Sequence, residues 1–176
     1  MMSALDVVAL EHALRDAGLA WCVVGGWGVD ALLGYESRPH KDLDVLLPLS
    51  YLEPTLALLA DDGFRLSMVW EEALPLPGVF PMLDRDSPSA FVLCDDRDRE
   101  VDVHVMTVED DLVKPLWATH RSLLPPDLAA TGRILQTEVW CMSAAKQAEV
   151  HADYELPSGT ACSIAQLLAL LRKTEG

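Results

Sequence analysis

The sequence predicts an α+β or α/β domain in which a mixed β-sheet is flanked by helices. Helical periodicity occurs at both ends of the chain, and strand-like apolar runs occupy its middle. The 176 residues are 51% apolar, which is enough to bury a sizeable core. We therefore expect a single domain over residues 1–176, with a short helical C-terminal part from about residue 143 to 176.

The first elements follow from periodicity and from glycine. Apolar side chains between Leu5 and Ala17 line one face of a predicted helix. A short buried strand is predicted over residues 21–24, and Gly25 and Gly26 interrupt it. A two-turn helix is predicted over residues 27–33, because Gly34 follows it where a C-terminal cap is needed.

The remaining elements are predicted from alternation and from turn residues. Residues 42–47 form a second strand that stops at Pro48, and a helix follows over residues 51–61. Strand-like runs then occupy residues 64–70, 79–83, 90–94 and 100–106, and a charged turn at 95–99 makes the last two a hairpin. Residues 131–136 and 138–142 are expected to pair, Ser143 begins a helix, and an apolar helix spans residues 164–171.

The charge balance limits the partners of the protein. It has 13 basic and 28 acidic residues, so its formal net charge is −15. Such a chain repels phosphate backbones, which excludes binding to polymeric nucleic acid. The surplus acid favours cations, metal ions or plain solubility.

The sequence predicts a cytoplasmic protein that does not enter a membrane. The N-terminus has neither a basic start nor a small-residue cleavage site, and no apolar run approaches the roughly 20 residues that span a bilayer. The four cysteines are scattered without a C-x-x-C pair, which favours reduced and mostly buried thiols.

Acidic side chains share one face on each of two predicted strands. Alternation places Asp42 and Asp44 on the same side of their strand. Glu100, Asp102 and His104 share a side of a later strand, so a third carboxylate can reach the same place if the two strands are neighbours. Oxygen ligands of this kind suit Mg²⁺, which completes its shell with waters and substrate phosphates.

A glycine turn precedes the first acidic strand. Gly25 and Gly26 lie between a strand and a helix, where the backbone can approach a ligand and exposed N–H groups attract phosphate. A phosphate turn and three carboxylates make the elements of a two-metal site, in which the ions stabilise the entering and the leaving oxygen. Each motif by itself is weak, and the glycines match neither the Rossmann fingerprint nor the P-loop.

Taken together, these motifs resemble the signature of the nucleotidyltransferase superfamily. The turn Gly25-Gly26-Trp27, the series Arg38, His40, Asp42 and Asp44, and the pair Asp102 and His104 carry the resemblance. The sequence is most similar to the small antibiotic-modifying branch, the lincosamide nucleotidyltransferases, with the aminoglycoside 2''-nucleotidyltransferases as near relatives. A later match covers residues 141–143 and 147–156.

This resemblance implies a nucleotidyltransferase fold and transfer of a nucleoside monophosphate from a nucleoside triphosphate to a hydroxyl of a small molecule, with release of pyrophosphate. Asp42, Asp44 and Asp102 would be the catalytic carboxylates of a site with two Mg²⁺ ions, in which Asp42 and Asp44 bind metal and Asp102 either binds the second ion or acts as the base. Gly25 and Gly26 would bind the triphosphate. Whether Asp102, His104 or Glu100 removes the proton from the acceptor hydroxyl stays open.

Several further residues have both a functional and a structural interpretation. Arg38 contacts a phosphate or pairs with Asp30, and Lys146 reaches the triphosphate or is solvated. His151 and Tyr154 lie three residues apart on a helix, so they line the nucleotide or acceptor pocket together or bond at the helix end. The proline-rich stretch 69–86 shapes the acceptor pocket or is a surface loop.

Three functions remain open at this point. The first is modification of a small molecule, such as a lincosamide or aminoglycoside antibiotic. The second is a regulatory nucleotidyltransferase of the toxin or antitoxin type that modifies a protein, and the third is a nucleotide-binding module without turnover. A chain of this length has little room for a separate acceptor domain, which leaves open a homodimer that completes the site.

Overall fold

We describe the protein from a computed structural model, in which residues 1–71, 73, 75–80, 85–109, 112–115, 129–151, 165 and 169 are described. In these ranges the helices are α1 (Ala4–Asp16), α2 (Gly25–Leu33), α3 (Leu52–Asp61) and α4 (Ala144–His151), and a 3₁₀ turn spans Leu49–Tyr51. The strands are β1 (Cys22–Val23), β2 (Asp42–Pro48), β3 (Arg65–Val69), β4 (Pro75–Phe80), β5 (Arg85–Pro88), β6 (Ala90–Cys94), β7 (Glu100–Glu109), β8 (Leu112–Pro115), β9 (Ala129–Ile134) and β10 (Thr137–Met142). None of the helices described is long and apolar enough to cross a membrane.

The main sheet is mixed, with strand order β3-β6-β7-β2-β1-β10-β9, and β8 pairs with β7. The central pair, β2 and β7, is parallel, whereas β1 and β2 are antiparallel. Strands β4 and β5 form a separate two-stranded sheet. This arrangement confirms the predicted α+β class with a mixed sheet and flanking helices.

One face of the central strands forms the core. Leu43, Val45 and Leu47 of β2 are buried in one cluster with alternate residues of β7 and with Leu14 of α1 and Leu56 of α3. Burying these apolar side chains supplies the main free energy of folding. Because side chains alternate along a strand, the polar residues of β2 and β7 lie on the opposite face, where they are free to form a site.

Helix α2 lies against β9 and β2. A Cβ on Gly132 of β9 would lie 2.6 Å from the carbonyl carbon of Ala31, so glycine is what lets the helix approach this strand. At its C-terminus, Gly34 takes the left-handed conformation with φ of 79°, and its N–H donates to the carbonyl of Asp30. The predicted glycine cap is confirmed.

Some predicted boundaries were wrong. Helix α2 begins at Gly25 and not at residue 27, because the N–H of Gly28 already donates to the carbonyl of Val24. A strand was predicted over residues 79–83, whereas β4 covers Pro75–Phe80 and residues 81–84 lie outside the described ranges. The hairpin of β4 and β5 and the strand β8 were not predicted. Most of the predicted helix 164–171 is also outside the described ranges, so the single-domain organisation stays a prediction.

Candidate active site

The two acidic strands are direct neighbours in the sheet. In the parallel register of β2 and β7, Asp42 lies opposite Glu100, and Asp44 lies opposite Asp102. The next pair on this face is Leu46 with His104. The carboxylates that the sequence analysis singled out therefore lie together on one face, and Asp102 is only 7% exposed.

Gly25 closes the site over Asp44. Its φ is +58°, a conformation that L-residues rarely adopt, and a Cβ on it would lie 2.7 Å from Asp44 Cγ. The neighbouring backbone N–H of Val24 donates to the carbonyl oxygen of Asp44 at 2.9 Å. The glycine turn and the acidic strand are thus fixed to each other by backbone contact.

The carboxylates of β2 lie close to other acidic groups. Burial and, after it, the negative charges of Asp42 and Asp102 raise the pKa of Asp44 to about 7, against the lowering effects of His104 and Arg38. Burial likewise raises the pKa of Asp42, where Lys41 lowers it and Asp102 raises it. Acidic groups that destabilise one another in this way favour the arrival of a cation.

Two side chains lie against one oxygen of Asp102. The indole N–H of Trp70 donates to its Oδ1 at 2.9 Å, and His104 Nε2 lies 3.3 Å from the same oxygen. Glu100, by contrast, forms an ion pair with Lys41 at 2.8 Å. Trp70 was predicted only as the end of a strand, and its role beside Asp102 was missed because nothing in the local sequence links two residues on different strands.

His40 belongs to a buried cluster behind the glycine turn. Its Nε2 lies 2.6 Å from Asp30 Oδ2, and Asp30 also accepts hydrogen bonds from the backbone and the hydroxyl of Ser37. The imidazole packs against Trp27 with ring centroids 4.4 Å apart, and a Cβ on Gly26 would lie 2.6 Å from His40 Cε1. His40 and Trp27 are 3% and 1% exposed, so both act here as structural supports of the turn.

Arg38 also lies beside the glycine turn. A Cβ on Gly26 would lie 2.9 Å from one of its terminal nitrogens, and its charge lowers the pKa of Asp44. A guanidinium in this position faces both the turn and the carboxylates, which suits contact with a phosphate.

Helix α4 packs against helix α2, which begins at the glycine turn. Lys146 forms an ion pair with Glu149 at 2.7 Å. Gln147 is 1% exposed, and its Nε2 faces Gly28 and has no hydrogen-bond partner among the described residues. His151 is the last residue of the helix. The structure describes its backbone only, and Tyr154 lies outside the described residues.

The carboxylate oxygens of this face suit Mg²⁺, although they do not complete a coordination shell by themselves. In the described part of the chain, no three His, Cys, Asp or Glu side chains are arranged to hold a metal by themselves. Mg²⁺ is normally bound by one or two carboxylates together with waters and phosphate oxygens, and β2 offers two carboxylates. Asp42 and Asp44 could serve as such ligands, and Asp102 as a third ligand stays a prediction.

The site therefore consists of a glycine turn packed on an Asp-x-Asp strand of a mixed sheet, with a third aspartate on the adjacent parallel strand. Solved structures share this fold. The lincosamide antibiotic adenylyltransferase LnuA with lincomycin bound superposes with a TM-score of 0.71 at 19% identity, over 95% of this chain and 96% of that one. ANT(2'')-Ia with adenylyl-2''-tobramycin gives a TM-score of 0.67 at 17% identity, over 96% and 88% of the two chains.

The family follows from the sequence. A family model described as aminoglycoside-2''-adenylyltransferase matches residues 6–167, and the chain belongs to this family. A lincosamide resistance protein of Staphylococcus haemolyticus is 26% identical over 87 residues. That alignment spans 49% of this chain and 44% of the relative. The predicted resemblance to the antibiotic-modifying nucleotidyltransferases is confirmed.

Proposed function

We propose that the protein transfers the nucleoside monophosphate of a nucleoside triphosphate to a hydroxyl of an antibiotic of the lincosamide or aminoglycoside class. The observation that carries this proposal is the register of β2 and β7, which sets Asp44 beside Asp102 under the glycine turn. Proteins similar to this chain support an antibiotic as the substrate, since one is a lincosamide resistance protein and another is bound to adenylyl-2''-tobramycin. The family description names adenylyl transfer, so ATP is the expected donor.

In this reaction the acceptor hydroxyl oxygen forms a bond to the α-phosphorus while the bond from that phosphorus to the leaving pyrophosphate breaks. Gly25 and Gly26 hold the triphosphate with backbone N–H groups, and Arg38 adds a positive charge beside them. Asp102 accepts the proton of the hydroxyl, as its position beside the metal-binding pair allows. Mg²⁺ held by Asp42 and Asp44 would supply positive charge, which would offset the phosphate charge and make the hydroxyl more acidic.

Two features favour Asp102 as the proton acceptor over its neighbours. Glu100 is paired with Lys41, which ties up its carboxylate. His104 lies against Asp102 Oδ1, where it orients the carboxylate. Lys146 is paired with Glu149, and its role in triphosphate binding stays a prediction. Roles for His151 and Tyr154 in the acceptor pocket, and a homodimer, stay predictions.

The test is an incubation with Mg²⁺, ATP and a panel of lincosamides and aminoglycosides. We expect pyrophosphate release with at least one acceptor, and mass spectrometry of that acceptor should show the mass of one nucleotide added. Because the added mass identifies both the acceptor and the nucleotide, repeating the assay with GTP settles the donor. Absence of any product across the panel would refute the proposed function.

A further inference from the structure

Trp70 links the edge of the sheet to the centre of the site. It follows β3, and its backbone N–H donates to the carbonyl of Ala90 on β6 at 3.2 Å. From there its indole N–H reaches across to Asp102 on β7 at 2.9 Å. The residue nevertheless remains 38% exposed, so a large aromatic ring stands at the surface directly beside the carboxylate.

The contacts of Asp102 are one-sided. Trp70 and His104 both lie on Oδ1, and among the described residues no donor lies on Oδ2. A carboxylate turns easily about its last bond, so a donor fixed on one oxygen selects one orientation of the pair. The oxygen that remains is then presented in a constant position to a metal or an acceptor hydroxyl.

We infer that Trp70 is a positioning residue for Asp102 and that its exposed ring forms part of the acceptor-binding surface. This inference rests on the proposed function. A base must approach the oxygen that it deprotonates to within about 3 Å, and the indole is one hydrogen bond from that base. An acceptor placed for reaction at the other oxygen therefore lies close to the indole. The ring offers an apolar face to the C–H groups of a hydroxylated ring, such as a sugar.

Two substitutions separate the two roles. Trp70→Phe keeps an aromatic ring and removes the N–H donor, so we expect kcat to fall about tenfold while the KM for the acceptor stays within about threefold. Trp70→Leu also removes the ring, and we expect the same loss in kcat together with an increase of about tenfold in the acceptor KM. The KM for ATP should not change in either variant. An unchanged kcat in Trp70→Phe would overturn the positioning role.

Trp21 provides a matched control. Its indole N–H donates to the buried carboxylate of Glu11 at 2.6 Å, on the core side of the molecule. Trp21→Phe thus removes the same type of hydrogen bond away from the site. We expect a lower Tm with kcat and both KM values unchanged. If both variants lost kcat in proportion to their loss of Tm, Trp70 would be merely structural.

A measurement without turnover distinguishes this inference from the proposed function. The protein has five tryptophans, so ¹⁵N-tryptophan labelling gives five indole N–H signals, and Trp70→Phe identifies the signal of Trp70. Asp102→Asn should shift that signal, and so should lincomycin or tobramycin, whichever is the acceptor. A signal unmoved by Asp102→Asn, or by saturating acceptor, overturns the inference. A signal that responds to Asp102→Asn in a protein that modifies no antibiotic would refute the proposed function and keep the link between the two residues.

Discussion

The α-carbon of Gly25 lies so close to the carboxylate of Asp44 that a Cβ at residue 25 would be 2.7 Å from Asp44 Cγ. The same glycine has a φ of +58°. The turn that is expected to bind phosphate and the carboxylate that is expected to bind metal therefore cannot be altered independently.

Gly25→Ala should abolish transfer while the protein still folds. The methyl group displaces the Asp44 carboxylate, and the positive φ costs about 1 kcal/mol of stability. We expect kcat/KM to fall at least about 100-fold, since a misplacement of about 1 Å can cost that much. Pyrophosphate release and thermal unfolding measure the two effects.

Gly34→Ala is the control for backbone strain. Gly34 also has a positive φ, 79°, but a Cβ there meets nothing within 4 Å. We expect a similar loss of stability with activity retained. If both alanine variants were equally inactive, strain in α2 and not the contact with Asp44 would explain the loss.

Asp44→Asn should remove activity and stabilise the metal-free protein. Burial and the neighbouring acids disfavour the charged form of Asp44, so the neutral amide should raise the free energy of unfolding by about 1 kcal/mol at pH 8. Added Mg²⁺ should raise the Tm of the wild-type protein by preferential binding to the folded state, and should not do so in the variant.

The exposed Asp61 supplies the comparison for this variant. Asp61→Asn should change the free energy of unfolding by less than about 0.5 kcal/mol and keep the response to Mg²⁺. Retained transfer activity in Asp44→Asn would contradict the metal assignment.

Asp30→Ala should destabilise the protein by about 3 kcal/mol, measured by urea unfolding. The change leaves the buried ring of His40 and the hydroxyl of Ser37 without their acceptor. Glu138→Ala breaks an exposed pair with Arg133, in which both side chains are more than 60% exposed, and should cost less than about 0.5 kcal/mol. Equal losses in the free energy of unfolding would mean that the buried cluster around Asp30 stabilises the protein no more than a surface ion pair does.

Stability should fall in acid through Asp95. Burial alone would raise the pKa of this carboxyl, but hydrogen bonds from the backbone and side chain of Arg99 and from the backbone of Arg97 lower it below its ordinary value. The unfolded chain therefore takes up this proton more readily than the folded protein. The contribution of Asp95 to the free energy of unfolding is fully present above about pH 4–5 and is lost as the pH falls through the lowered pKa.

Asp95→Asn should therefore be less stable than the wild type at pH 7, and the difference should shrink at pH 3. Urea unfolding at the two pH values measures it. Asp96→Asn, at the exposed neighbouring position, should stay within about 0.5 kcal/mol of the wild type at pH 7. A constant difference between Asp95→Asn and wild type at both pH values would contradict this assignment.

The sequence was sufficient to predict which carboxylates share a face of a strand. It was not sufficient to predict which side chains of other strands contact them. Strict alternation placed Asp42 with Asp44 and Asp102 with His104, since the side-chain period of a strand is two. The contact of Trp70 with Asp102 depends on strand order across β6, which no local pattern encodes. The start of α2 at Gly25 was missed because glycine in a sequence indicates a break more often than a first turn.

Strands β2 and β7 are far apart in the chain but adjacent in the sheet, with α3, β3 and β6 between them in sequence. Loop closure over such a distance is slow, so this pairing requires most of the domain to be in place. Regained transfer activity during refolding thus reports the completion of the central sheet, later than any signal from secondary structure.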